Sequence, residues 1–174
     1  GQWANVSWRP SSCDIDHING IWYDGWRFYI SEFRHKSTGP SVIRICDQKL
    51  TLLGDVEIGL PIHNVYREGP FYTLVSREAG LIEKQDGGLI NHRLPQLQGM
   101  LLRGLARSED QWFVGASRWE THRDKRHVGD AIIAILNDDF AEVGRIEIKD
   151  AGPVCDIRLI EPADKAHNGL RYPG

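Results

Sequence analysis

An all-β fold built of β-propeller blades is the architecture this sequence predicts, and three observations carry the prediction. One motif recurs. Asn19-Gly-Ile-Trp-Tyr-Asp-Gly-Trp-Arg-Phe-Tyr-Ile-Ser31, His63-Asn-Val-Tyr-Arg-Glu-Gly-Pro-Phe-Tyr-Thr-Leu-Val-Ser-Arg77 and Arg103-Gly-Leu-Ala-Arg-Ser-Glu-Asp-Gln-Trp-Phe-Val-Gly-Ala-Ser-Arg118 share one order. Each runs from a polar pair through an apolar strand start and an acidic or glycine turn to an aromatic second strand and Ser. The copies are spaced as blades are: with Ile21, Val65 and Leu105 aligned, they stand 44 and 40 residues apart. Each copy is followed by two more short runs rich in β-branched residues, and four antiparallel strands in about 45 residues is the content of one blade.

Taken in order, the elements justify themselves locally. The turns fall at Asp24-Gly25, Glu68-Gly69 and Glu109-Asp110, where glycine or an acidic side chain supplies the conformation or the backbone bond that a tight hairpin needs. The second strands, 27–30, 71–75 and 111–114, are aromatic and β-branched, which suits a pleated, half-buried surface. Third strands are expected at 41–46, 80–84 and 131–136, and fourth strands at 50–53, 89–93 and 142–149. The blades therefore occupy roughly 17–60, 61–101 and 102–150. Residues 153–160 begin one more inner strand, because Cys155-Asp156 aligns with Arg103-Gly104.

Connections read as follows. Residues 1–16 suit a loop or the tail of a preceding blade, and 33–40 form a basic, turn-rich hairpin loop. Residues 94–102 cross from one blade's outer edge to the next blade's inner strand. The third blade carries a charged insertion at 119–129, a solvated flap of alternating sign, and the end of the chain, 163–174, is polar and loosely held. Three blades do not close a ring that needs four to eight. The expectation is an incomplete ring or a fragment, completed by N-terminal blades outside these 174 residues or by a second copy.

Composition sets further bounds. With 41% hydrophobic residues the chain buries a core, and a formal charge of −3 leaves no broad cationic face for nucleic acid. Cys13, Cys46 and Cys155 are odd in number and lack C-x-x-C spacing, which points to structural thiols in a reducing, cytoplasmic setting. No run of about 18 apolar residues is present, so neither a membrane helix nor a signal peptide is expected.

The order Arg-Gly-Leu-Ala, Trp-Phe-Val-Gly-Ala-Ser-Arg, a charged insertion, Ile-Ile-Ala-Ile, Gly-Arg-Ile-Glu-Ile and Asp-Ile-Arg-Leu-Ile resembles the C-terminal part of an uncharacterised bacterial propeller-like family, over about 16–160. That resemblance implies blades and brings no activity with it. More distantly the blades are similar to those of NHL-repeat and gluconolactonase-like propellers. In the latter a divalent metal sits at the central channel on carboxylate and Asn ligands. The resemblance implies Asn19, Asn64 and Asp156 for such a set, and the Glu expected from a blade nearer the N-terminus has no counterpart here.

Where inner strands begin, a propeller's side chains converge on the channel mouth. Here these are His17, Asn19, His63, Asn64, Arg103 and Asp156, which either bind a ligand or a Ca²⁺ or Zn²⁺ ion, or satisfy backbone groups and channel water. Arg77 and Arg118 recur after the second strand, where each either binds an anion or ties its blade to the next. His122 and His127 with Glu120, Asp124 and Asp130 match no ligand frame. G-x-S-x-G, G-x-G-x-x-G and the P-loop are absent. The expected function is a ligand-binding or protein-interaction module for a small molecule or protein partner, the alternatives being a metal-dependent lactone or ester hydrolase and a folded spacer.

Overall fold

A computed structural model describes residues 17–33, 39–119 and 128–160. Among them are twelve strands: β1 (His17–Tyr23), β2 (Arg27–Phe33), β3 (Val42–Asp47), β4 (Leu52–Glu57), β5 (His63–Arg67), β6 (Phe71–Val75), β7 (Gly80–Gln85), β8 (Gly88–Arg93), β9 (Met100–Arg107), β10 (Trp112–Arg118), β11 (Ala131–Leu136) and β12 (Glu142–Ile148). They form three four-stranded antiparallel sheets, β1 to β4, β5 to β8 and β9 to β12, each ordered as the chain runs. The protein is all-β, an incomplete propeller of three blades. The only described helix is a single 3-10 turn at Pro95–Leu97, so no described helix is long and apolar enough to cross a membrane. Residues 1–16, most of the 33–40 loop, residues 120–127 of the insertion with His122 and His127, and the end from 161 lie outside the described residues.

Several boundaries differ from the sequence expectation, and residues 153–160, expected to begin a further inner strand, form no strand; two of the differences have local physical reasons. The fourth strand of the first blade starts at Leu52, because Asp47 Oδ1 accepts the N–H groups of Lys49 and Thr51 and Leu50 takes a φ of 60°, which makes 47–51 a turn. In the 94–102 crossing, the chain turns at Pro95–Leu97 and joins the third sheet at Met100, so Leu101 and Leu102 are strand residues paired with Ser117 and Ala116.

Aromatic rings from the inner pairs of strands knit the blades together. Trp22 meets Tyr66 at 5.9 Å between ring centroids, Tyr66 meets Trp112 at 5.4 Å, and Tyr72 meets Trp112 at 4.6 Å. Around them Tyr29, Ile43, Leu74, Leu81, Ile82 and Leu136 are buried, and each large side chain of this kind contributes about 1.5–3 kcal/mol when withdrawn from water. In the middle blade four successive residues, Tyr72 to Val75, are buried, which is the pattern of a strand covered on both faces. Val65 and Leu105 are 5% and 3% exposed, whereas Ile21, at the same place in the first blade, is 51% exposed. Its neighbour Trp22 turns toward the second blade, so alternation turns Ile21 away from it.

At one end of the interface an arginine closing each later inner strand reaches back to the turn of the blade before. Arg67 pairs with Asp24 at 3.5 Å and donates to the Tyr29 hydroxyl, which itself donates to Asp24 Oδ2 at 2.7 Å. Arg107 lies 3.3 Å from Glu68 and stacks its guanidinium over Trp112 at 4.6 Å.

Candidate functional site

The opposite end of the inner strands holds the residues singled out by sequence. Every inner strand has a sheet neighbour on one side only, so the N–H and C=O groups of its other edge need partners from outside the sheet. Each also carries a register irregularity at the same point: between Ile18 and Gly20 in β1, between His63 and Tyr66 in β5, and opposite Val114 and Ala116 in β9. A bulge of this kind re-aims side chains. It brings Asn19, His63 and Arg103 to equivalent places along the mouth.

Side chains of one blade satisfy the free edge of the next. Asn19 Nδ2 donates to the Ile62 carbonyl at 2.6 Å and lies 3.2 Å from His63 Nδ1, while Asn19 Oδ1 accepts from the Ser31 hydroxyl at 2.8 Å. Asn64 Oδ1 accepts the Gly104 N–H at 2.8 Å. The Ser76 hydroxyl accepts the Leu102 N–H at 2.8 Å and lies 3.2 Å from the Leu102 carbonyl oxygen. Ser117 Oγ accepts the Val154 N–H at 2.8 Å. Asn64 adopts a φ of 58°, a left-handed conformation that Asn tolerates better than most residues. The strands approach too closely for side chains on the facing residues. A Cβ on Gly20 would stand 2.5 Å from Asn64 Cα, and one on Gly104, where φ is 82°, would meet Ile157 Cγ1 at 2.8 Å.

His63 and Arg103 flank that contact and remain available at the mouth, both partly exposed. Burial first, then the charge of Arg103 and that of His17, push the His63 pKa down to about 4. His63 is therefore neutral at pH 7. With Asn19 donating to Nδ1, its proton sits on Nε2 as a donor. The Nε of Arg103 is buried without a protein acceptor, and no described carboxylate pairs with this arginine.

The structure thus brings together His17, Asn19, His63, Asn64 and Arg103, and divides their roles. Asn19 and Asn64 spend their polar atoms on the adjoining strand. Asp156 is turned outward and pairs with Arg158 at 3.1 Å. Asn19, Asn64 and Asp156 are each engaged elsewhere, and among the described residues no group of three His, Cys, Asp or Glu side chains could hold a metal ion. Arg77 and Arg118 are exposed and hold no ion pair among the described residues. Arg118 lines an open depression of about 760 Å³ with Met100, Trp119, Val128, Asp130 and Asp150. Asp130 itself pairs with Lys149 at 2.9 Å. The links from blade to blade are carried by Ser76 and Ser117, the residues just before those arginines. The signal was in the sequence as a Ser closing every copy of the repeat.

No family model matches the chain, and no curated protein matches it. Among solved structures it is similar to KlHsv2 with loop 6CD replaced by a Gly-Ser linker, at 13% identity and a TM-score of 0.45, over 77% of this chain and 40% of that one. The chain spans less than half the length of that structure. The architecture rests on the three sheets and their packing.

Proposed function

We propose that this chain is a binding module, a partial propeller that receives a small molecule or a protein segment at the mouth of its inner strands through His17, His63 and Arg103. One observation carries the reading: three nitrogen-bearing side chains meet where the repeats converge, and Arg103 has no acceptor from the protein for its buried Nε–H. Asn19 and Asn64, beside it, are instead matched by backbone of the adjoining blade. The hydrolase alternative has no support among the described residues, since its implied ligands already serve the backbone or an arginine. The reading includes membership of the uncharacterised bacterial propeller-like family and a reducing, cytoplasmic setting, which the free thiols of Cys46 and Cys155 favour.

The test is a mixed small-molecule and peptide library screened by amide and side-chain NMR shifts of the whole chain. Perturbations centred on His17, His63 and Arg103 are the expected result. Hits confined to the depression beside Arg118 and Trp119, or none at any site, would overturn the reading.

A further inference from the structure

We infer that the ligand received at this mouth carries an oxyanion, a carboxylate or phosphate group gripped by the Arg103 guanidinium and the Nε2–H of His63. This rests on the reading of the mouth as the binding surface. The two groups that would grip it are both donors. Asn19 donates to His63 Nδ1 and thereby fixes the imidazole with its remaining proton on Nε2. Arg103 offers the planar fork of guanidinium donors, its Nε shielded from solvent and without a protein acceptor.

Several other arginines of the protein are held by carboxylates. Arg44 holds Glu32 and Asp55, Arg67 holds Asp24, Arg107 holds Glu68 and Asp138, and Arg145 holds Glu142. The carboxylate nearest in sequence register to the mouth, Asp156, is committed to Arg158. Burial first, and then the Arg103 charge, oppose the protonation of His63, which places that guanidinium close enough to act on the imidazole. A partly desolvated mouth that offers the Arg103 guanidinium and the His63 Nε2–H selects an anion, and the charge-assisted bonds it offers are roughly twice as strong as neutral ones.

The experiment titrates the whole chain with sodium phosphate and, separately, with sodium acetate, at ionic strength held constant by sodium chloride. Side-chain NMR signals of His63 and of Arg103 Nε–H are followed. Saturable shifts of both are expected, with the His63 pKa rising from about 4 by about one unit, because a bound anion favours the imidazolium. The two salts tell a phosphate site from a carboxylate site. Arg103→Gln is expected to weaken binding about tenfold or more, and Arg103→Lys to recover part of it, since charge is kept and the fork lost. Arg145→Gln, on the outer strand β12, serves as the control that leaves binding unchanged. Amide spectra of each variant establish that it is folded, and Arg103→Lys tests the inference should Arg103→Gln fail to fold. Linear, unsaturating shifts with both salts, or equal affinity in wild type and the folded Arg103 variants, would overturn the inference. Saturable binding at His63 by a neutral compound with none by either anion would overturn the oxyanion and leave the binding module standing. Silence toward every compound would remove both.

Discussion

Replacing Ser76 by Ala tests the way this protein holds its blades together. The hydroxyl accepts the Leu102 N–H at 2.8 Å and lies 3.2 Å from the carbonyl oxygen of the same residue, which is 0% exposed. Truncation leaves that N–H buried without an acceptor, and an orphaned donor costs about 1–3 kcal/mol. The carbonyl contact is longer and adds little. Removing the hydroxyl also removes its own desolvation cost, so the expected net loss is about 2 kcal/mol, roughly a thirtyfold change in the folding equilibrium. Urea unfolding followed by tryptophan fluorescence reads it as a lower midpoint at unchanged slope. Ser117→Ala provides the internal scale: its hydroxyl accepts the Val154 N–H in a less buried setting, so its loss is expected to be smaller. A loss below about 0.5 kcal/mol for Ser76→Ala, the range of ordinary surface changes, would refute the argument that side chains of one blade satisfy the edge of the next.

At Asn64, both the side-chain acceptor and the left-handed backbone matter. Asn64→Gly is expected to lose the first only, while Asn64→Ala loses both and falls about 1 kcal/mol further in the same unfolding assay. Tyr29→Phe removes the hydroxyl that links Asp24 and Arg67, for an expected loss of about 1–3 kcal/mol. Burial pushes the Asp24 carboxyl upward, but the bonds from Tyr29 and from the N–H groups of Trp26 and Arg27, with the Arg67 charge, outweigh it and hold the group below its ordinary value. Its folded value being the lower, Asp24 adds stability that is complete above about pH 4 and is lost as pH falls through the carboxylate range; Tyr29→Phe should flatten that acid limb. His63 is likewise depressed, to about 4. Its contribution is therefore full above about pH 6.5 and drains away toward about pH 4, and His63→Gln, measured by urea midpoints across that interval, should abolish this part of the pH dependence.

The repeat made the architecture legible because each blade must solve the same problem with the same residues. The strand-to-turn-to-strand pattern around Asp24-Gly25 and Glu68-Gly69 is local chemistry, and Phe71–Val75 is a strand to the residue. Strand ends were harder to read. Phe33 and Arg118 lie in strands extended by neighbours that no local propensity announces, and Leu50 belongs to a turn organised by Asp47. At the mouth, sequence located the polar residues but could not divide them. Whether an Asn serves a strand edge or faces the channel depends on a bulge of one residue and on the spacing between sheets, and both are tertiary facts. Ser76 and Ser117 went without a role for the same reason: their partners lie 26 and 37 residues away.

The clasps also have a direction. Asn19, Asn64, Ser76 and Ser117 all reach forward, each engaging backbone that comes later in the chain. The free edge of each later inner strand is thus completed by side chains that precede it in the chain, so a sheet made later finds its partners already in place.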